Sequence, residues 1–211
     1  MPNNILESVK NFNTITIFRH VFADMDAIGS QFGLKYYLES AYPDKKIYCL
    51  GSDCPVSQRN NVHMDVIDDE VVASSLAIVL DTSNAARIDD ERYQLAKKSI
   101  RIDHHVQVET ICDEEWIDDK ASATCELLAL YFQEKKVDIP VESALMLYLG
   151  LTADNIRFTT NNVRPATFDA AKYLFEQGVD VTKVEQLNFS KSMNDYKYET
   201  VVRNHTILKN K

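Results

Sequence analysis

The chain is poor in glycine. It has five in 211 residues, where average usage would give about 15, and none sits in a Gly-rich run. That scarcity argues against a phosphate cradle built from glycine backbone. Proline is equally scarce at five, and no Pro/Gly/Ser-rich linker divides the chain. The four cysteines, Cys49, Cys54, Cys112 and Cys125, include no CxxC pair. They predict reduced, mostly buried thiols rather than a disulfide scaffold or a Cys-rich zinc site. No apolar run approaches the roughly 18 residues of a membrane span. The N-terminus, MPNNILESVKNFN, lacks the basic-then-apolar order of a secretory signal. A cytoplasmic protein without membrane contact is the expectation. Positive charge is also short: 23 Lys+Arg against 32 Asp+Glu leaves −9. This argues against a long nucleic-acid track held by bulk charge. A small anionic substrate stays allowed, because bound divalent cations reverse the local sign.

What is present suits an ordinary folded domain. Apolar residues make up 45%, and the length supports one large domain or two small ones without staples. TITIFR (residues 14–19) reads as a strand, and Ala27 to Ser40 as a helix ending before Pro43. Ile47–Leu50 is a second strand, and residues 51–70 are polar and turn-rich. LAIVL (76–80) is a continuous apolar run, as expected of a strand buried on both faces of a parallel sheet. Ser99–Ile102 is a fourth strand, with a helix expected over Asp89–Lys98 between the two. The alternation predicts an α/β fold, a mostly parallel sheet flanked by helices. From Ser122 the chain turns helical: 122–136 is amphipathic, 141–154 more apolar and deeply buried. Residues 164–178 have Pro near the start and Gly at the end, the asymmetry of a helix. One or two further helices are expected over 181–207.

The hydrophilic residues fall where strands end. Strand one runs into His20-x3-Asp24-x-Asp26, strand three stops at Asp81, and strand four at Asp103-His104-His105. Asp154 follows the apolar segment LMLYLGLT. In open α/β sheets ligands bind outside the carboxyl ends of the strands, so these groups can converge on one crevice. Each alone has a plainer explanation: an Asp at a strand end is often a helix N-cap, and Asp-His-His can be a hydrogen-bonded cluster. Together they suggest a metal centre. Imidazole with carboxylate suits Mn, Fe, Zn or Co, and carboxylate with water suits Mg or Mn. The six groups His20, Asp24, Asp26, Asp81, His104 and Asp154 exceed the needs of one ion. They would serve two, the clamp used in phosphoester hydrolysis.

FRHVFADMDAIGSQ resembles the first motif of the DHH phosphoesterases, HxxPDxDAxGS, with Ala23 where that motif has Pro. VLDTSNAARID is similar to the second motif, and RIDHHV to the third, which names the superfamily. GLTADNIRF and the following AAKYLFEQG resemble the fourth, with Asn155-Ile156 in place of Thr-Gly. The resemblance implies that His20 and Asp24 bind one ion, that Asp26, His104 and Asp154 bind another, and that Asp81 bridges them. Asp103 would orient a histidine, His105 would face the scissile phosphate as a catalytic or substrate-binding group, and Arg157 would bind substrate phosphate. The implied cofactors are two divalent ions, Mn2+ with Mg2+ or Co2+ as substitutes, activating a hydroxide. The branch it looks most like is the nano-RNase/pAp-phosphatase one, whose members hydrolyse very short RNA, pApA-like dinucleotides or pAp. A homodimer is compatible with this. Members of that branch carry a second, Gly-rich C-terminal domain. The implied division is therefore a catalytic domain over 1–190, with 191–211 starting a linker helix toward such a domain. Two other functions stay open: a family II-type inorganic pyrophosphatase, and a non-catalytic metal- or nucleotide-binding module. Residues 113–115 and 118–119 are expected to be solvated acidic turns, and Trp116 to be a packing residue.

Overall fold

A computed structural model describes residues 5–191 and 193–205. The elements in chain order are α1 (Ile5–Lys10), β1 (Thr14–Phe18), α2 (Met25–Ala41), β2 (Lys46–Cys49), α3 (Pro55–Arg59), α4 (Asp69–Ala73), β3 (Leu76–Leu80), β4 (Lys98–Asp103) and β5 (Glu114–Ile117). Then come α5 (Thr124–Lys135), α6 (Val141–Asp154), α7 (Pro165–Glu176), α8 (Val181–Phe189) and α9 (Met193–Asn204). The strands form one sheet in the order β2-β1-β3-β4-β5, and every pairing is parallel. β1 and β3 are buried along their whole length, as central strands of a covered parallel sheet must be.

Side chains alternate across the sheet. Leu76, Ile78 and Leu80 enter the main core with α1, α2 and α5 to α8. Ala77 and Val79 enter a smaller core with Val72 of α4, Ile88 and Tyr93. The sheet is thus flanked by helices as expected, but unequally. The expected helix over Asp89–Lys98 is a 3-10 stretch of five residues, Glu91–Leu95. Its apolar positions are too few to make a helical stripe, and Tyr93 alone is buried there. The acidic segment 113–115 is a second departure. Glu114–Ile117 is an edge strand, and the Glu115 carboxylate accepts from the Ile111 and Cys112 amides instead of facing water. Trp116 is buried beside Tyr131, as expected. The residues beyond 205 in the helical stretch expected over 181–207 lie outside the described residues. All four cysteines are free thiols, three of them buried.

Three of the five glycines are spent on one contact. Gly29 and Gly33 on α2 face Gly150 and Leu147 on α6, so the two helices approach almost backbone to backbone. A Cβ on Gly29 would stand 2.5 Å from the Met146 carbonyl oxygen, and one on Gly150 would collide with Cys125 Sγ. This approach sets the start of α2 against the starts of α5 and the end of α6, where the hydrophilic groups gather. Gly150→Ala should lower stability by about 1–3 kcal/mol, the usual cost of overpacking, read as a fall in the thermal midpoint. Adding Cys125→Ala should restore only part, since the Met25 carbonyl and the Asp26 Cα remain 3.0 and 3.1 Å from the added methyl.

Candidate metal centre

Strand order reverses between β1 and β3: one connection leads outward to β2, the others toward β5. The crevice at the carboxyl ends of that pair is the switch point where open α/β sheets bind ligands. Residues just past β1 are pinned there. His20 forms a bridge with Ile88, the Val21 amide donates to the Arg87 carbonyl at 2.7 Å, and the Asp89 amide to that of Arg19 at 3.0 Å. Asp81 follows β3 with φ +53, and its amide still donates to the Ile102 carbonyl of β4. The left-handed turn, tolerated by aspartate, buries its carboxylate at the centre of the site.

Asp81 joins the cluster together. Its Oδ2 lies 3.4 Å from His20 Nε2, and its Oδ1 lies 3.4 Å from His104 Nε2 and 3.6 Å from His105 Nδ1. His20 Nε2 also faces Asp24 Oδ2 at 3.8 Å. His104 Nε2 faces Asp26 Oδ2 at 3.8 Å and Asp154 Oδ2 at 3.5 Å. Three overlapping groups could each hold an ion: His20-Asp24-Asp81, Asp26-His104-Asp154 and Asp81-His104-His105. All six expected ligands are therefore brought together.

The donor set fits divalent cations. His20 Nδ1 donates to the Val21 carbonyl at 2.6 Å and His104 Nδ1 to the Ala121 carbonyl at 3.3 Å. Each backbone acceptor fixes the tautomer and turns Nε2 toward the carboxylates. Separations of 3.4–3.8 Å are long for hydrogen bonds. They match the roughly 3–4 Å between two ligands that each lie about 2.0–2.2 Å from a shared ion. Without a cation, protons take that place. Burial works to lower His20 and His104, but the facing carboxylates, Asp24 and Asp81 for His20 and Asp81 and Asp26 for His104, outweigh it and push both up to about 10. Burial and the Asp81 charge raise Asp26 well above its ordinary value, and burial takes Asp154 up to about 6. Asp81 itself is held low: burial opposes ionisation, but the two histidines prevail.

Several supporting groups carry no signal in the sequence. The Thr124 and Cys125 amides, at the start of α5, donate to Asp26 at 2.6 and 2.9 Å, and Thr124 Oγ1 donates to Asp81 at 3.1 Å. A helix N-terminus thus meets a buried carboxylate, a favourable placement for negative charge. Nothing in SATCELL says which carboxylate that turn will meet. Asp24 is both an N-cap and a candidate ligand: its Oδ1 accepts from the Asp26 and Ala27 amides at 3.0 Å, leaving Oδ2 for the cluster. Asp103 Oδ1 accepts from His105 Nδ1 at 2.8 Å, and its Oδ2 accepts from the buried Arg101 at 2.6 Å. Burial would raise Asp103, but these two partners hold it below the usual carboxylate range.

Arg157, expected to bind substrate phosphate, is paired with a carboxylate in this structure. Ile156, Arg157 and Phe158 form a left-handed turn, with φ of 47, 57 and 62, tied down by the buried Asn155, whose Oδ1 accepts from the Phe158 amide. The turn delivers the guanidinium to Glu185, with three contacts of 2.8–3.2 Å, and over the Phe189 ring at 3.6 Å. A phosphate would have to displace that pair.

A parallel α/β domain with a carboxylate–imidazole cluster at its switch point is the class that fold and site define. The chain belongs to the DHH family: the profile of the DHH family N-terminal domain matches residues 14–151. It is 34% identical over 179 residues to the bifunctional oligoribonuclease and PAP phosphatase NrnA of Bacillus subtilis, covering 83% of this chain and 57% of that one. It is 33% identical over 212 residues to an uncharacterized protein of Mycoplasma pneumoniae, covering 96% of this chain and 63% of the other. The chain thus spans about three-fifths of the length of the curated relatives it matches. An exopolyphosphatase-related protein from Bacteroides fragilis shares the fold, with a TM-score of 0.85 at 22% identity, over 97% of this chain and 64% of that one.

The raised histidines fix the sign of two pH effects. A histidine at about 10 in the fold and about 6.5 unfolded stabilises the metal-free protein fully below about pH 6.5. That contribution is lost as pH rises toward 10. The metal-free thermal midpoint should fall between pH 6.5 and 10. A metal must displace these protons, so Mn2+ affinity should rise from pH 6.5 to 8.5. Calorimetry in buffers of different ionisation enthalpy should register proton release.

Proposed function

We propose that this chain is the catalytic domain of a metal-dependent phosphoesterase that hydrolyses very short oligonucleotides, pApA-like dinucleotides or pAp. The observation that carries the reading is the Asp81 carboxylate shared between two histidine–carboxylate groups. The identity to NrnA proteins supports the substrate class. His20 and Asp24 would hold one ion, Asp26, His104 and Asp154 the second, and Asp81 both. The mixed imidazole and carboxylate donors favour Mn2+, with Mg2+ or Co2+ able to substitute. When bound, the ions supply Lewis-acid activation of water and neutralise phosphoryl charge.

The chain's own residues do the rest. Asp103, anchored by Arg101, holds His105 through Nδ1, leaving Nε2 to meet a phosphoryl oxygen or protonate the leaving oxygen. His20, Asp26 and Asp81 are buried, which strengthens charge interactions among them. Residues 1–190 form the catalytic domain in this reading, and α9, which has no buried residue, begins a connector. Among the described residues no helix is long and apolar enough to cross a membrane. A cytoplasmic location and a homodimer belong to the same proposal.

The test is hydrolysis of pAp and pApA after chelation and Mn2+ reloading, with inorganic pyrophosphate as the competing substrate. Turnover of the nucleotides should return with Mn2+, and Asp81→Asn should reduce it by at least a hundredfold, about 2.7 kcal/mol of lost transition-state stabilisation. Faster cleavage of pyrophosphate than of either nucleotide would favour the family II pyrophosphatase reading. Tight Mn2+ binding with no turnover of any of the three would leave a binding module.

A further inference from the structure

A cavity of about 630 Å3 is lined by the chain neighbours of two candidate ligands, His20 and Asp24, and its size is well within the range of small-molecule sites, roughly 300–1,000 Å3. One wall is Val21, Phe22 and Ala23, the three residues that join His20 to Asp24. The other is Cys54, Pro55 and Val56, at the start of α3. Consecutive Cα atoms are about 3.8 Å apart, so the first wall lies within roughly 8 Å of two candidate ligands.

Phe22 at the lip combines two locally unfavourable features. Its ring is 96% exposed, and its backbone sits at φ +54, uncommon for a bulky residue. The ring belongs to neither hydrophobic core, so packing explains neither feature. Such outliers gather at ligand sites, where the surrounding structure maintains them. The surroundings here are firm. The wall is pinned by the His20–Ile88 bridge and the Val21–Arg87 hydrogen bond, and Cys54 Sγ reaches the Ala23 carbonyl at 3.8 Å. Beneath, the buried Arg19 donates to Asp89 at 2.8 Å and to the Ser52 carbonyl. Gly51, at φ +129, lets the chain turn against that guanidinium.

The chemistry of the walls selects the ligand. At the polar side Arg19 and Asp89 neutralise each other, which leaves the Asp53 carboxylate as the net charge, so a phosphate is disfavoured. An uncharged, planar group fits between an exposed aromatic ring and an aliphatic wall. We propose that this cavity is a nucleobase subsite, in which a base of the substrate stacks on Phe22 while its phosphate lies at the Asp81 cluster. The proposal rests on the phosphoesterase reading and adds to it the element that distinguishes a nucleotide from a bare phosphoester. Stacking on an aromatic ring is sequence-tolerant, so the subsite accepts any of the common bases.

The test compares adenosine 5′-monophosphate with ribose 5-phosphate, titrated calorimetrically into the full 211-residue chain loaded with Mn2+. The nucleotide should bind the wild type about tenfold or more tightly, the scale of one base–aromatic stack. Phe22→Ala should remove that preference and leave ribose 5-phosphate binding unchanged, while Phe22→Trp should keep it. Val56→Gln, on the facing wall, should weaken only the nucleotide. Because Phe22 is exposed, the thermal midpoint of Phe22→Ala should match wild type. Equal binding of both ligands by the wild type, no binding of the nucleotide, or an unchanged preference in Phe22→Ala overturns the subsite. Such results would leave phosphoesterase activity standing if pAp is still cleaved. Loss of the hydrolytic reading appears separately, as a wild type that cleaves neither pAp nor pApA.

Discussion

Four carboxylates, the buried Asp26 and Asp81 with Asp154 and the exposed Asp24, are held around two imidazole Nε2 atoms. That concentration of like charge is the constraint on which the rest of the structure depends. Buried carboxylates repel one another and resist ionisation, so the fold must supply compensating positive potential from every side. It does so with the amides at the start of α5 on Asp26, the amides of α2 on Asp24, and Thr124 on Asp81. What remains uncompensated is directed at the gap between the carboxylates and the two imidazoles, where protons or cations complete the balance. The raised histidines and the raised Asp26 and Asp154 are two faces of that same deficit.

Such a cluster needs its helices to arrive close together, and the glycines make that approach. Gly29, Gly33 and Gly150 remove the side chains that would separate α2 from α6. Asp26 in the first turn of α2 and Asp154 in the last turn of α6 then reach the same imidazole. Three of the five glycines therefore serve helix packing here rather than a backbone anion cradle. The candidate ligand groups are side chains instead, two of them, Asp26 and Asp154, set on the packed helices α2 and α6.

The anchoring is asymmetric. On the β4 side, Arg101 and Asp103 form a buried pair that fixes His105. On the β1 side, Arg19 and Asp89 form another that fixes the loop carrying His20 and its exposed Phe22. Removing one member of either pair would strand a buried charge, a costly state. Both pairs lie just outside the candidate ligands, so they govern orientation while leaving the crevice open.

By itself the sequence determined the alternation of strands and helices. The β-rich run TITIF and the apolar run LAIVL read as strands, and the 122–136, 141–154 and 164–178 patterns as helices with a buried face. It also marked the candidate ligand types and the strand ends that carry them, because an ionisable residue directly after a buried strand emerges at the carboxyl end of the sheet. The 3-10 stretch at Glu91–Leu95 and the edge strand at Glu114–Ile117 were not legible. Neither has enough local pattern to outweigh its polar composition, and each exists because of what it packs or pairs against. Tertiary structure alone decided which helix N-terminus meets Asp26, that Asp24 splits its two oxygens between a cap and the cluster, and that Arg157 is turned toward Glu185. The reason is physical. Periodicity and residue type report how a segment relates to its own neighbours, whereas the partners of a buried charge are chosen by residues up to a hundred positions away, once the helices have closed on one another.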